Sequence, residues 1–564
     1  MNKNLYQSRF SVAPSDVKKE RSNFKVPYTH LTTGNFGKLI PFYVNEVLPG
    51  DTFANVTTRM LTRMSTPLYP VMDNAFIDYY YFFVPNRLVW SHWAEFMGEN
   101  KDSAWTQPVE YTIPHAKFKP VVGGLLDHMG VPTYSDVNGP SLDIGVLAPR
   151  AYQLIWNEWF RNENTTDPVL VNTGDSVTDQ EKLELDRLLP VAKYFDYFTS
   201  ALPSPQKGDA VDIPLGDFAP LVTLADYANP RTDVPLVFYN GANQIAPNRA
   251  LLASAWNGDF SNANVNAEGD IIDGQRIVFY TGVDGDSVDS ELVDEPFTNP
   301  ANLVADLSNA TAVTVNALRQ AFQMQRLLEL QARSGTRYIE IIKASFGVLS
   351  PDARLQRPEY LGGTRVDIQM QQVTQQSATD SVSPLGHTGA YSKTISAHRD
   401  FTASFTEHGY VIGVMCARTA HTYQQGLNKM WSRRGRYDFY WPTFAHIGEQ
   451  PILVKELYAI GTDQDDSVFG YQEAWAEYRY KPNEVTGAFR STVDSNLDEW
   501  HYADYYDERP FLSSEWMEET SENVDRTLAV TSELHDQLIF DIRVDADITR
   551  VMPLYSIPGL IDHF

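Results

Sequence analysis

Apolar and polar residues alternate along several stretches of the sequence, and this period of two constrains the fold more than any other feature. In QLIFDIRVDADITRVMP (residues 537–553) β-branched and aromatic residues fill most of the apolar positions. This pattern is typical of a half-buried strand. Turn residues separate further strand candidates, which lie at residues 38–53, 53–64, 72–90, 363–376, 401–418 and 451–460.

Helical periodicity is confined to a few segments. Four large apolar side chains recur at i, i+3, i+4 and i+7 between Tyr152 and Trp159, which predicts a helix over residues 148–162 whose aromatic face packs in the core. Residues 314–334 give the clearest helix of the chain, and Gly335 follows in the C′ position that helices favour. Helices are therefore expected to be few.

These patterns predict a mainly β protein, with roughly eight strands in a β-sandwich or jelly roll and helices confined to the connecting loops. Asn, Asp, Gly and Ala dominate residues 221–309, where little could build a core. We interpret that stretch as a surface insertion. Residues 1–35 are polar without a sustained period, so an extended arm is expected there.

Cys416 is the one cysteine among 564 residues, so a disulfide within the chain is impossible. This favours folding in a reducing cytosol. The first residues contain no apolar h-region, and the apolar runs are far shorter than a membrane span. We expect no secretory signal and no membrane insertion.

The formal net charge of −27 opposes a role for the whole chain as a nucleic-acid binder, because phosphates would be repelled. The charge is unevenly distributed. Residues 1–40 contain seven Lys and Arg against two acids, a net +5, and residues 259–298 contain ten acids against Arg276, a net −9. A basic arm and an acidic insertion suit a protein whose two sides meet different surroundings.

Catalytic signatures are scarce. The sequence contains no G-x-S-x-G, H-E-x-x-H or Walker A motif. Cys416 lies in an apolar strand pattern, which favours a buried, inert thiol. Residues 461–474 depart from the calcium-loop pattern at Val468 and Ala474. Four histidines lack ligand spacing and are expected to be structural or at the surface: His387, His408, His421 and His446. We predict no catalytic residue, metal ligand or cofactor.

Residues 430–450, MWSRRGRYDFYWPTFAHIGEQ, interleave basic charge with aromatic rings. Single-stranded nucleic-acid binders combine cations for phosphates with rings for bases, whereas protein interfaces are also enriched in Arg and aromatic residues. Both interpretations stay open. The candidate DNA contacts are Arg433, Arg434 and Arg436, and the candidate interface or core anchors are Trp431, Phe439 and Trp441.

Several long segments of the sequence together carry a specific resemblance to one family. TVNALRQAFQMQRLLELQARSGTRYIEIIKASFGV, IPFYVNEVLPGDTF, FIDYYYFFVPNRLVW, FGYQEAWAEYRYKPNEVTGAFRS and residues 430–450 occur in collinear order. Together they resemble the major capsid protein of microviruses, small icosahedral phages with circular single-stranded DNA, and the gokushovirus branch in particular. The resemblance covers almost the whole chain except residues from about 221 to 309, where family members differ.

The resemblance implies a virion structural protein built as one discontinuous jelly-roll domain over residues 36–564. About sixty copies would form a T=1 shell around the DNA genome. Implied partners are a small basic DNA-binding virion protein, scaffolding and pilot-type phage proteins, and a host-cell surface receptor. Synthesis and assembly would take place in the bacterial host cytoplasm.

The basic arm would face the genome, and the insertion would form a threefold protrusion that meets the host. Candidate DNA contacts in the arm are Lys18, Lys19, Arg21 and Lys25, and candidate host-facing residues are Asp259, Asp270, Asp284, Asp286 and Asp289. The alternative is a jelly-roll protein that binds carbohydrate or cleaves glycosides. Acidic residues are too common here for any pair of carboxylates to support it.

Overall fold

The structure is a computed structural model of the chain. It describes residues 20–101, 109–134, 139–211, 315–377, 379, 381 and 384–555, together with short strands between residues 221 and 305. Two four-stranded antiparallel sheets dominate the described residues. Their eight strands are numbered in chain order: β1 Ser22–Gly34, β2 Ile40–Val47, β3 Thr52–Met64, β4 Ala75–Pro85, β5 Glu359–Asp367, β6 Thr394–Ser404, β7 Gly409–Thr419 and β8 Leu538–Arg550.

The first sheet has the strand order β1-β8-β3-β6. Strand β8 shows why it forms, because its even-numbered apolar residues from Leu538 to Ile548 are buried and the odd-numbered residues between them are exposed or half-exposed. A period of two places all of the buried side chains on one face. The opposite face of this sheet carries the exposed side chains.

The second sheet has the order β5-β4-β7-β2. Its central strands β4 and β7 are buried along nearly their whole length, on both faces. One face meets the first sheet: Phe42, Tyr81 and Met415 share a hydrophobic cluster with Phe53 and Phe540 of the first sheet. The main core therefore lies between the two sheets.

A helical layer covers the other face of the second sheet. Helix α1 (Leu147–Ile155) continues as a π-helical turn, Trp156–Phe160. Ile155 and Trp156 pack with Phe82 of β4 in a second hydrophobic cluster. The Tyr152 hydroxyl donates to the carbonyl of Leu39 at 2.7 Å and accepts from the backbone of Leu189 at 3.0 Å. The predicted packing of this aromatic helix face in the core is confirmed.

The remaining α-helices are short apart from α3. Helix α2 is Asp179–Leu185, α3 is Val315–Ser334 and α4 is Tyr338–Phe346. The others are Asn86–Val89, Trp93–Phe96, Leu125–His128, Asp352–Leu355, Ser514–Met517 and Glu522–Asp525. Helix α3 begins and ends within one residue of its prediction, and Gly335 has the positive φ of +97° expected at C′.

Short strand pairs lie outside the two sheets. They are His115–Phe118 with Leu142–Gly145, Met370–Thr374 with Thr388–Ser392, Thr422–Tyr423 with Asn483–Glu484, and Glu449–Leu453 with Val468–Glu473. The mainly β architecture with few helices is confirmed. Three strand predictions were wrong in detail. In residues 451–460 the strand ends at Leu453, and the 3-10 turn Val454–Glu456 follows. Residues 363–376 are split, since β5 ends at Asp367, and residues 401–418 are divided by a turn between β6 and β7.

The chain divides into two compact units, Met1–Asp209 with Leu327–Phe564, and Ala210–Arg326. The first contains both four-stranded sheets. The second contains short antiparallel strands: Leu221–Asp226, Asn229–Arg231, Tyr239–Asn240, Asn243–Gln244, Arg249–Ala255, Ile277–Val283, Glu291–Leu292 and Leu303–Ala305. In the predicted arm, the described residues include β1, which pairs with β8 along its full length.

Candidate functional site

Residues 430–450 form a surface segment built from tight turns. Its 3-10 turns are Lys429–Ser432, Arg436–Asp438 and Pro442–Phe444. The Asp438 carboxylate accepts from the backbone N–H groups of Arg434 and Gly435, both at 2.7 Å. These two donors favour the charged carboxylate and lower the pKa of Asp438. The segment is thus shaped by local hydrogen bonds.

Arg433 is held inside this surface. Its Nη2 donates to Oε1 of Glu477 at 3.0 Å, and the two side chains are only 10% and 9% exposed. The guanidinium lies 4.5 Å from the ring centroid of Tyr478 and 5.4 Å from that of Phe439. An arginine in such a charge-paired, ring-covered position braces the segment.

Arg434 and Arg436 are exposed. The Arg436 guanidinium lies 4.6 Å from the ring centroid of Tyr437 and donates to its hydroxyl. The structure therefore separates the three predicted DNA contacts. Arg433 is occupied by protein groups, whereas the other two cations reach solvent.

The aromatic side chains of the segment do not enter the core of the isolated chain. Trp431 is 70% exposed, Phe439 52% and Trp441 48%. Tyr437 and Tyr440 are also exposed. We call these five residues the aromatic platform. Large exposed apolar patches mark interaction sites, so the role of Trp431, Phe439 and Trp441 as interface anchors stays a prediction.

The aromatic platform is held in place by the buried Trp475 as well as by hydrogen bonds within the segment. Tyr440 meets Trp475 edge-on, with ring centroids 5.7 Å apart and an interplanar angle of 84°. Trp475 is only 6% exposed, and its Nε1 donates to the carbonyl of Phe444 at 2.8 Å. Trp441 Nε1 donates to the carbonyl of Arg436 at 2.8 Å. The rings are consequently presented in a set geometry.

The other predicted DNA contacts are only partly within the described residues. Lys18 and Lys19 lie outside them. Arg21 is exposed and donates to the carbonyl of Gly50, and Lys25 is exposed on β1 opposite Asp547 of β8. The five predicted host-facing acids also lie outside the described residues: Asp259, Asp270, Asp284, Asp286 and Asp289.

The sequence interpretation missed a buried ionic cluster around His421. The His421 side chain is 2% exposed, with Nδ1 3.1 Å from Oδ2 of Asp504 and Nε2 2.8 Å from Oε2 of Glu519. Lys193 lies 3.6 Å from Asp504. Glu519 also accepts from the backbone and hydroxyl of Thr419 through Oε1. The scattered positions of these residues in the sequence gave no signal of the cluster.

Charge balance sets the protonation of this cluster. Burial alone would lower the pKa of His421, but the carboxylates of Asp504 and Glu519 outweigh it and raise the pKa to about 10. Burial opposes charge on Asp504 as well, yet Lys193 and His421 hold its pKa below the usual range. An imidazolium clamped between two carboxylates has a structural role here, because every ring nitrogen is occupied.

Other side chains that could react are likewise buried or hydrogen-bonded within the fold. Cys416 is buried, and burial raises its pKa to about 12, as expected for an inert thiol. The Glu163 carboxylate accepts from the backbone and hydroxyl of Thr336 at 2.9 and 2.7 Å. Among the described residues no cluster of three or more His, Cys, Asp or Glu side chains could hold a metal ion.

The β-rich fold and its outward-facing aromatic rings suit a protein whose surface meets other macromolecules. The sequence model of the family described as "Capsid protein (F protein)" matches residues 14–560. The chain belongs to this family of phage capsid proteins, which confirms the resemblance found in the sequence.

Curated relatives agree along the whole chain. Capsid protein VP1 of Bdellovibrio phage phiMH2K is 40% identical, covering 99% of this chain and 98% of the relative. Capsid protein VP1 of Chlamydia phage 1 is 37% identical, covering 99% and 98%. Capsid protein VP1 of Spiroplasma virus 4 is 37% identical, covering 96% and 95%.

Family membership settles the broad function. The protein is a structural component of a virion capsid, where it self-associates into a shell, and it is not an enzyme. This excludes the glycoside-cleaving alternative. Within the part of the chain that the structure describes, no helix is long and apolar enough to cross a membrane.

Proposed function

We propose that the two sheets form the eight-stranded jelly roll of a viral capsid subunit. The supporting observation is the strand order, β1-β8-β3-β6 in one sheet and β5-β4-β7-β2 in the other. The neighbours β1/β8, β3/β6, β2/β7 and β4/β5 are those of one long hairpin in which the first four strands pair with the last four. Rolling that hairpin up creates the remaining contacts, β8/β3 and β7/β4, which is the jelly-roll topology.

We infer a T=1 shell of about sixty copies, with the aromatic platform as a subunit interface. The observation that carries the interface part of this proposal is the exposure of Trp431, Phe439 and Trp441 on a surface whose geometry is fixed by hydrogen bonds. Preordered rings lose little conformational entropy when a partner covers them, so they suit anchor positions. Aromatic side chains that stay in water would not need hydrogen bonds to hold them in one geometry.

The genome side of the subunit is proposed to be the exposed face of the first sheet. Five basic residues from the four strands of the first sheet share this face with three acids. The cations are Lys25, Arg59, Arg63, Arg399 and Arg543, and the acids are Asp541, Asp545 and Asp547. The excess of two positive charges contrasts with −27 for the whole chain, and phosphates would favour this surface.

The modest charge of this face explains why further partners are expected. A packaged single strand carries one negative charge per nucleotide, so most neutralisation would come from a small basic DNA-binding virion protein. Scaffolding and pilot-type proteins would assist assembly in the bacterial host cytoplasm. Residues 221–309 would form the threefold protrusion, and their acidic stretch would suit an outward, solvated surface for a host receptor.

Particle mass and shape test the shell directly. Sixty copies of the 63.8 kDa chain amount to about 3.8 MDa of protein. We expect cryo-electron microscopy of purified virions to show T=1 particles with the first sheet facing inward and the platform covered by a neighbouring subunit. A larger triangulation number, or a platform that stays uncovered in the particle, would contradict the proposal. Adsorption by particles that lack residues 259–295 tests the insertion separately.

A further inference from the structure

A two-stranded ribbon leaves the sheets between β5 and β6. Met370–Thr374 pairs antiparallel with Thr388–Ser392. The ribbon is anchored at its base, where the backbone of Gln369 donates to Oγ1 of Thr394 at 2.9 Å and the Ser392 hydroxyl donates to the carbonyl of Gln369 at 3.1 Å. Ser392 is buried, but every other side chain of the two strands is exposed or half-exposed.

Apart from its base, where Met370 packs against the main core, the ribbon lacks a packing layer of its own. Five residues per strand extend about 17 Å. A two-stranded ribbon with solvent on both faces is only marginally stable in water, and a third strand or a packing partner is needed to stabilise it. Val373 and Tyr391 are 49% and 45% exposed, so the ribbon offers apolar surface that is not buried within the chain.

The composition of the ribbon argues against DNA as its partner. In the sequence, Asp380 is the single charged residue from Ile368 to Ser392, whereas charged residues make up 21% of the chain. Without Lys or Arg there is no attraction for phosphates. Depletion of charge is instead typical of the centre of a protein interface.

Gly389 makes a close approach possible. It lies inside its strand, paired with Val373, and a Cβ atom built at this position would meet no other atom within 4 Å. A glycine in a strand interior weakens the strand, and it is often found where another backbone comes near. Thr388 and Ala390 on either side have short side chains, and all three residues are half-exposed.

We propose that the ribbon docks on a second copy of this chain, with the strand around Gly389 against the backbone of that copy. A second copy is the partner that shell formation places beside every subunit. The ribbon carries amide and hydroxyl side chains such as Gln371, Gln372 and Thr374, which both donate and accept hydrogen bonds. Such groups complement an uncharged surface of the same composition.

Substitution of Gly389 tests this inference, because the open space around its Cβ allows larger residues without disturbing the subunit. We expect Gly389→Glu and Gly389→Arg each to lower particle yield by about tenfold or more, because a long charged side chain would separate the two backbones. Gly389→Ser is the smaller matched substitution and should lower the yield less than either charged variant, because it adds only a Cβ and a hydroxyl. All three unassembled chains should unfold at the wild-type denaturant concentration.

The opposite charges of the two variants separate the possible partners. If Gly389→Arg assembles normally while Gly389→Glu does not, the ribbon faces the genome and the proposal is wrong. Wild-type yield from both variants would also overturn it. Hydrogen exchange on the unmodified protein provides a second readout: the amides of Thr388–Ser392 should exchange at least about tenfold more slowly in particles than in unassembled subunits. Equal exchange would refute docking.

Discussion

The buried cluster around His421 should contribute strongly to the stability of the subunit, and His421→Gln tests this. The substitution keeps a polar side chain of similar size but removes the positive charge between Asp504 and Glu519. Removing one member of a buried ionic network costs about 3–5 kcal/mol, because the remaining charges stay buried without compensation. His421 and Glu519 are 2% and 1% exposed, so solvent cannot replace the lost partner.

The pKa of His421 gives an independent magnitude. A rise from 6.5 to about 10 corresponds to roughly 5 kcal/mol at most. The unit that contains the cluster comprises Met1–Asp209 and Leu327–Phe564. At about 2.1 cal/mol/K per residue, its unfolding entropy is near 0.9 kcal/mol/K, so 3–5 kcal/mol lowers Tm by roughly 3–5 °C.

The pH dependence distinguishes loss of this charge from a packing defect. Because the folded-state pKa exceeds the unfolded value, the stabilisation is complete below pH 6.5 and is lost as pH rises through about 10. Denaturant titrations of unassembled subunits between pH 6 and 10 should therefore show a falling free energy of unfolding in the wild type and a much flatter profile in His421→Gln. The exposed His535→Gln is the control and should match the wild type. Parallel profiles for His421→Gln and the wild type would refute the reasoning.

Three further perturbations follow from the geometry. Trp431→Ala with Trp441→Ala should leave the Tm of unassembled subunits within about 1 °C, because both rings are exposed, yet reduce particle yield by tenfold or more in sedimentation. Arg433→Ala should lower the free energy of unfolding by about 1–3 kcal/mol in denaturant titrations, whereas Arg434→Ala should leave it unchanged. Equal effects of the two substitutions would contradict a stabilising role for Arg433. Tyr152→Phe, which leaves two buried backbone groups without their partner, should cost about 1–3 kcal/mol in the same assay, and a neutral result would show that the hydroxyl is dispensable.

The sequence predicted the elements whose signal is local. Strand β8 alternates strictly, and its side chains are buried and exposed in the same order. Helix α3 was located within one residue, although none of its side chains is buried. Its periodicity predicted the helix correctly but not its environment, since periodicity reports conformation and not the partner that covers a face.

Features that depend on distant residues were beyond the sequence patterns. His421, Asp504 and Glu519 come together from separate loops, and each is an ordinary residue in its own surroundings. Arg433 could not be told from Arg434, because Glu477, its partner, lies 44 positions away. The ribbon at Met370–Thr374 was joined to β5 because both are extended, and no local signal marks the point where the chain leaves the sheet.

The two sheets differ in how their outer faces are covered, and this difference gives the proposed shell its direction. Helix α1 and the π-helical turn cover the second sheet, so β4 and β7 are buried on both faces. The exposed face of the first sheet instead carries five basic residues, Lys25, Arg59, Arg63, Arg399 and Arg543. A covered face needs apolar residues in continuous runs, whereas a face that meets hydrated phosphates needs charge at alternate positions. Under the proposed arrangement, the same period of two that builds the core of β8 also sets the charge that the genome would meet.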